Sequence, residues 1–534
     1  MPEPNSPEQL KPVKIFDTTL RDGIQATDVS ATKANALYIA GSLAEAGVDI
    51  IEIGFPASND GNLATVQHIA ERVDGAQLAA FARTDPEDVA KAGYALAPAG
   101  DRARINICRP FSDLHIQKRL GSTREETVEL AVRHTAQARE LVDDVQFSFE
   151  DSTRAELKFL KESVLAVAHA GATTMMLPDT VGAMLPRDYS ERLLAIREAL
   201  DARGFGHVVI AAHCHNDRGQ AVMSSLDALR FGGAEQVDVT IGGVGERNGN
   251  TPLEVVVGNL AVYPEMGLVT NVDPTKLRNL AYEIGPKALG DGARLPEKHP
   301  FVGEQSYAHG SGMHQHGVLI DELMFKDFKS AELGFDKPFQ FKINDQSGKS
   351  GVRYELGTTL NMSVDEHTLQ LITDAVKKRS TDRGGKNLGH NELEELTSEI
   401  IGEEVEDKFK LEAFSFTGDT QGDEDGLCTA TVTINGQEKT VESKGGVVDA
   451  ARQAIEELTG FEFNITGWHV DDLEEGSDAA VGIFATVKHN GYEVDTYARS
   501  KVSENAGADI LMQAVNVIHR VEERTRGSAP EKAA

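Results

Sequence analysis

Cysteine is scarce: Cys108, Cys214 and Cys428 are the only three in 534 residues. They lie far apart and are odd in number, so neither a disulfide framework nor a zinc ribbon can be built from them, and a reducing, cytoplasmic setting is expected. Basic residues are also short, with 53 Lys and Arg against 85 Asp and Glu, a formal charge of −32. That balance argues against nucleic acid and anionic membrane as partners, and it favours a highly soluble protein from a salty or acidic-proteome source. Long apolar runs are missing. Ser163–Pro178 is the longest uncharged stretch, it contains His169 and Gly171, and it falls short of the roughly 20 residues a membrane span needs. The opening "MPEPNSPEQLKP" is polar and Pro-rich and reads as a disordered tail over 1–12 rather than a signal peptide.

What is present is a core-forming chain, 40% hydrophobic, long enough for two or three domains. From Val13 onward one pattern recurs: a short run rich in Val and Ile, then a longer segment of helical period. The runs are "VKIFD", "IIEIGF", "QLAAFA", "RINIC", "DVQFSF", "TTMML", "HVVIAAHCH" and "QVDVTIGG". Helical segments include Thr32–Ala46, Thr123–Leu141, Glu156–Ala170 and Gly219–Phe231. Strand–helix alternation implies a parallel sheet, and eight such units over about 250 residues match a closed (β/α)8 barrel, here 13–261. A doubly wound open sheet is the alternative.

After the barrel the alternation stops, and 262–407 reads as a mainly helical linker region. The last part, 408–525, contains an internal repeat: "ATVTINGQ" at Ala430 and "ATVKHNGY" at Ala485. Each Asn-Gly lies between strand-like runs, the signal for a tight hairpin, and a helical stretch follows each hairpin. Two strands-then-helix units make an α+β domain with pseudo-twofold symmetry, with a ligand site at the junction as one reading and a purely dimerising module as the other. Residues 526–534 read as a tail.

The chemistry collects at strand ends. In "AAHCHND" the two imidazoles of His213 and His215 share one face of strand 7 while Cys214 faces away. They sit at the C-terminal end, where barrel active sites form. The first strand runs into "FDTTLRDGIQ", which brings Asp22; the eighth runs into "GGVGERNGN", which ends at Asn250. In a closed barrel strand 8 neighbours strands 7 and 1, so Asp22, His213, His215 and Asn250 converge. Mixed nitrogen and oxygen ligands suit a divalent ion such as Mn, Mg or Zn. Ser148 and Glu150 share a face at the end of strand 5, which makes Ser148 a candidate substrate contact, and Thr180, after strand 6, is placed to hold a carboxylate or hydroxyl. The Gly-rich turn "IGGVGERNGN" is expected to leave backbone N–H groups free for an anion.

"DTTLRDG", "HCHND", "GERNGN" and "HGSGMHQHG" resemble the 2-isopropylmalate synthase family, which includes homocitrate and citramalate synthases. "VTINGQE", "VVDAARQAIEELTG" and "ARSKVSENAGADILMQA" resemble its leucine-binding regulatory domain. The resemblance implies a Claisen condensation of acetyl-CoA with a 2-oxo acid, followed by thioester hydrolysis. It implies that Asp22, His213 and His215, with Asn250, hold the metal ion that chelates the oxo acid. Arg21 would stabilise the alkoxide, held in place by Glu150, and Thr180 would bind the oxo acid's carboxylate. His314 would help remove the methyl proton of acetyl-CoA, delivered by the partner subunit of a homodimer. Asn106 and Met176 replace residues usual in the oxo-acid pocket, as does Ile24; His316 replaces a usual Asp. Pyruvate or 2-oxoglutarate in place of 3-methyl-2-oxobutanoate, a lyase reaction, and a non-catalytic effector-binding paralogue are the competing readings.

Overall fold

The structure, a computed structural model, describes residues 10–403, 405–418, 427–472, 481–500 and 503–527. Eight parallel strands close into a barrel: β1 Lys14–Asp17, β2 Ile50–Glu52, β3 Gln77–Arg83, β4 Ala103–Pro110, β5 Asp144–Glu150, β6 Thr174–Asp179, β7 Val209–Cys214 and β8 Gln236–Val239. Closure is made by β1 pairing with β8, Phe16 opposite Asp238 and Asp17 opposite Val239, so the open-sheet alternative is excluded.

Helices α1 Lys33–Glu45, α2 Asp60–Ala70, α3 Pro86–Leu96, α4 Arg124–Arg139, α5 Leu157–His169, α6 Pro186–Asp201, α7 Ala221–Phe231 and α8 Leu253–Val262 each follow a strand. Their starts were legible locally. Thr123 caps α4 through a reciprocal pair with Glu126, an arrangement in which the cap alone contributes about 1 kcal/mol. The uncharged stretch 163–178 becomes the buried end of α5 and most of β6. No helix of the described residues is long and apolar enough to cross a membrane.

The main core lies between strands and helices; Cys214 belongs to it, turned away from the barrel interior. The interior is different. Phe16, Ile50 and Ala79 form only a small apolar cluster there. Much of the rest is polar: Glu52, Arg104, Asn106, Gln146, Ser148, Gln236 and Asp238 are all buried. Arg104 on β4 donates to Gln236 on β8 at 2.8 Å. Those strands are not neighbours in the closed order, so this bond crosses the barrel's interior.

The chain divides into two compact units. One runs to Ser306 and includes Asp327–Pro338; the other takes Tyr307–Lys326 and continues from Phe339. The stretch 262–407 is thus shared between them. In the second unit lie α9 Gly312–Ile320, α10 Glu366–Asp382 and α11 His390–Ile401. There follow two copies of one unit. The first is β9 Leu411–Gly418, β10 Cys428–Ile434, β11 Gln437–Ser443 and α12 Val447–Thr459; the second is β12 Asn464–Asp472, β13 Val481–His489, β14 Tyr492–Ser500 and α13 Ser503–Gly527. Each copy is a three-stranded antiparallel sheet. Both hairpins turn on the Asn-Gly pairs, and all four residues have positive φ: Asn435 50°, Gly436 75°, Asn490 46° and Gly491 85°. That is the two-residue turn whose twist matches the strands it joins.

Candidate active site and metal centre

Asp22 follows β1, and its backbone N–H is tied to the Thr18 carbonyl at 2.9 Å. His213 lies on β7 and His215 just beyond it. The Nε2 atoms of the two histidines are 3.3 Å apart; Asp22 Oδ2 is 3.4 Å from the first and 3.7 Å from the second. All three side chains are buried. Among the described residues this is the one cluster of three His, Cys, Asp or Glu able to share an ion.

Asn250 is set beside it by a backbone bridge to His215. Its Nδ2 donates to the Val244 carbonyl at 3.2 Å, while its buried Oδ1 meets no hydrogen-bond partner. A buried amide oxygen left bare is costly unless something else satisfies it, and a cation does so. Two imidazole nitrogens and two oxygens therefore fit a divalent ion.

The electrostatics point the same way. Burial opposes protonation of His213, but hydrogen bonds and charge from Asp22 and Asp238 outweigh it and bring its pKa to about 9. Burial and the charge of His213 push His215 down to about 4. Burial alone would raise Asp22, yet Arg21 and the two imidazoles hold it far below the usual carboxylate range. The proton the cluster favours therefore sits on His213, between the carboxylates of Asp22 and Asp238, while His215 stays neutral.

Arg21 is not held by Glu150, as expected from the sequence. Its Nε donates to Glu52 Oε2 at 2.7 Å, and its guanidinium lies 4.9 Å over the Phe81 ring. Glu150 points to Arg119, which grips it with two bonds of 2.6 and 2.8 Å. Barrel geometry explains the difference, because β2 and not β5 stands next to β1.

Glu52 is fully buried and also accepts from Thr18 Oγ1 and Asn106 Nδ2, both at 2.6 Å. Ser148 Oγ donates to Asn106 Oδ1 at 2.6 Å. Asn106 and Ser148 therefore lie at the base of the site, with their polar atoms engaged in supporting Glu52. Met176 pairs in register with Ser148 and is buried. Thr180 Oγ1 accepts from the Asp151 amide at 2.8 Å, which leaves its own hydroxyl hydrogen to donate.

In the Gly-rich turn the expectation of open amides is not met at four positions. The amides of Gly242, Gly243, Gly249 and Asn250 are spent on Glu254, Thr240, Glu246 and Gly243 rather than left open for an anion. Gly249 is required: at φ +85° its missing Cβ would overlap the Gly243 carbonyl oxygen.

His314 lies on α9 of the second unit, half-buried. Its ring centroid lies 4.0 Å from that of Phe325, the planes tilted by 31°, and 5.9 Å from that of His309. His316 is exposed, with Nδ1 3.2 Å from Ser350 Oγ.

Sequence reasoning missed Glu52 and Asp238. Both carry a local signal, a charged residue inside an apolar barrel strand: "IIEIGF" and "QVDV".

Comparison with known proteins agrees with this architecture. Residues 12–284 match the family described as HMGL-like, 301–384 a homocitrate synthase post-HMGL domain, and 388–519 the LeuA allosteric (dimerisation) domain. The chain is therefore a barrel enzyme of the HMGL-like class. A 2-isopropylmalate synthase from Acidimicrobium ferrooxidans is 33% identical over 96% of this chain and 97% of its own length; one from Pyrococcus furiosus is 34% identical over 95% and 99%. The chain belongs to the 2-isopropylmalate synthase family. Among solved structures, HMG-CoA lyase from Bacillus subtilis is 24% identical, with a TM-score of 0.45 over 54% of this chain and 96% of that one.

Proposed function

We propose that this acyltransferase joins acetyl-CoA to 3-methyl-2-oxobutanoate and, with water, releases 2-isopropylmalate and CoA. Full-length likeness to 2-isopropylmalate synthases supports the reaction. The single observation that carries the site is the meeting of Asp22, His213 and His215 at 3.3 to 3.7 Å, with the bare Asn250 Oδ1 as a fourth donor.

These four residues would hold a divalent ion, of which Mn, Mg and Zn all suit the donor set. Once bound, the ion supplies Lewis-acid polarisation of the oxo acid's carbonyl. Arg21, its guanidinium fixed by Glu52 and laid over Phe81, offers charge to the oxygen that becomes an alkoxide when the new C–C bond forms. Thr180 donates its hydroxyl hydrogen to the oxo acid's carboxylate. His314 takes a methyl proton from acetyl-CoA, acting from the partner subunit of a homodimer. Asn106, Ser148 and Met176 shape the base of the oxo-acid pocket, the first two through Glu52.

The C-terminal repeats are proposed to bind leucine as an inhibitor. Phe414, Val448, Ala451, Trp468, Ile483 and Ala508 line a cavity of about 180 Å³ between the two copies, an apolar surface suited to a branched aliphatic side chain.

The test is a substrate panel: acetyl-CoA with 3-methyl-2-oxobutanoate, pyruvate, 4-methyl-2-oxopentanoate or 2-oxoglutarate, metal present, with CoA thiol release followed. The highest kcat/KM on 3-methyl-2-oxobutanoate supports the reading. Preference for pyruvate or 2-oxoglutarate makes the chain a citramalate or homocitrate synthase, and no release with any oxo acid makes it a non-catalytic paralogue.

A further inference from the structure

Asp238 lies on β8 directly across from His213 in register. Its Oδ2 is 3.4 Å from His213 Nδ1, the ring nitrogen other than the one that meets Asp22. Neither of these two buried atoms meets any other hydrogen-bond partner among the described residues, so each is left to the other. Oδ1 of Asp238 accepts from Gln236 Nε2 at 3.0 Å. Gln236 Oε1 accepts from Arg104 Nη1 at 2.8 Å, and Arg104 Nη2 donates to Asp144 Oδ2 at 2.8 Å.

This chain of bonds has only one self-consistent direction. A guanidinium can only donate, so Gln236 must present its oxygen to Arg104 and its NH2 to Asp238. A carboxylate can only accept, so Asp238 Oδ2 calls for a hydrogen on His213 Nδ1. With Nδ1 so engaged, the proton that His213 gives up to an ion is the one on Nε2, and the lone pair it leaves faces Asp22 and His215. We propose that Asp238 is a positioning residue for the metal centre, selecting the ligating tautomer of His213, and that Arg104, reaching across the barrel to Gln236, sets its direction. The inference rests on the reading of Asp22, His213 and His215 as metal ligands. Outer carboxylates that accept from a ligating histidine hold its ring and raise its basicity, and their loss weakens metal binding by about 10–100-fold.

The orientation argument makes an uncommon prediction. Gln236 Nε2 spends one hydrogen on Gln146 Oε1 at 2.8 Å; in Asp238→Asn its other hydrogen still calls for an acceptor, so the new amide turns its oxygen to Gln236 and its NH2 to His213. That forces His213 Nδ1 to accept and places the ring hydrogen on Nε2, where it blocks the ion. Adding Gln236→Glu reverses the amide: the carboxylate introduced on β8 accepts from Arg104 and from the amide introduced by D238N, whose oxygen turns back to His213.

The experiment titrates metal-stripped, full-length protein with Mn²⁺, and separately with Zn²⁺, by calorimetry, and records thermal midpoints of the metal-free proteins. D238N is expected to bind about 10–100-fold more weakly than wild type, and Q236E/D238N to recover at least part of that loss. Gln236→Met, which frees Asp238 Oδ1 without a change of charge, is expected to lose less than D238N, and it serves if D238N does not fold. D238N or Q236M binding like wild type, or a double variant no tighter than D238N, overturns the inference. A fall in metal-free midpoint with unchanged affinity assigns Asp238 a structural role only and overturns it too. Wild-type protein that binds neither ion overturns the metal reading itself, and this inference with it.

Discussion

Arg21 and Glu52 form a buried ion pair: Nε to Oε2, 2.7 Å, with the carboxylate fully enclosed. Arg21 Nη1 also stands 3.6 Å from Asp22 Oδ1, so the guanidinium is braced between an inner carboxylate and the Asp22 side chain.

Glu52→Gln should therefore loosen Arg21 and lower kcat on the order of 10²-fold, the scale of a small misplacement of a catalytic group, with a smaller change in the KM for the oxo acid. Glu150→Gln should cost less, because Glu150 serves Arg119. Steady-state kinetics on both variants decide it; the reverse order would return the bracing role to Glu150.

Metal removal should abolish turnover. Dialysis against a chelator is expected to stop CoA release and re-addition of Mn²⁺, Mg²⁺ or Zn²⁺ to restore it. His213→Ala should stay inactive after re-addition because one of the converging donors is gone. Full activity of the stripped protein would remove the metal from the reaction.

Asp17 gives a pH signature. Burial raises its pKa to about 7; bonds from Thr19 counter the rise, and Glu254 and Glu52 add to it. A carboxyl whose folded pKa lies above its unfolded value of 3.8 stabilises fully below that value. The contribution is lost as pH rises toward 7, since the folded state then holds the extra proton. The Tm of Asp17→Asn relative to wild type should climb between pH 4 and 7 and level off above. A flat difference would show that Asp17 titrates normally.

Net charge should make stability rise with salt. At −32 self-repulsion opposes the compact state, and screening shortens from about 10 Å at 0.1 M to about 3 Å at 1 M. Tm is expected to increase over that range of NaCl. A decrease would mean that the surface ion pairs outweigh the repulsion.

Filling the repeat-junction cavity should uncouple inhibition from turnover. Ala451 is buried on α12 and lines that cavity. Ala451→Leu is expected to remove inhibition by leucine with kcat retained. Inhibition that persists at the wild-type concentration places the effector elsewhere.

Some of this was legible before any fold was known, because it depends on local rules. Alternation of β and α segments announced the barrel, Thr123 and Glu126 marked a helix start, and the two Asn-Gly pairs marked hairpins. The i, i+2 spacing of His213 and His215 placed both rings on one face, and barrel order then brought Asp22 and Asn250 beside them. The partner of Arg21 was not legible in this way. Glu52 and Glu150 are both acidic residues on inward-facing strand positions, and nothing in either segment says which one reaches the guanidinium. Asn106 and Ser148 read as substrate contacts for the same reason: their type suits the task, and only their mutual bond and the bond to Glu52 show them occupied.

By itself the order of residues determined the elements, their faces and the family's chemistry, since periodicity and turn geometry act within a few residues. Only the closed barrel decided which buried polar groups meet, from Arg21 with Glu52 to Arg104 with Gln236 and Asp238 with His213. Such pairings are set by strand neighbourhood and by reach across the interior at about 3 Å, and they join positions that are remote along the chain.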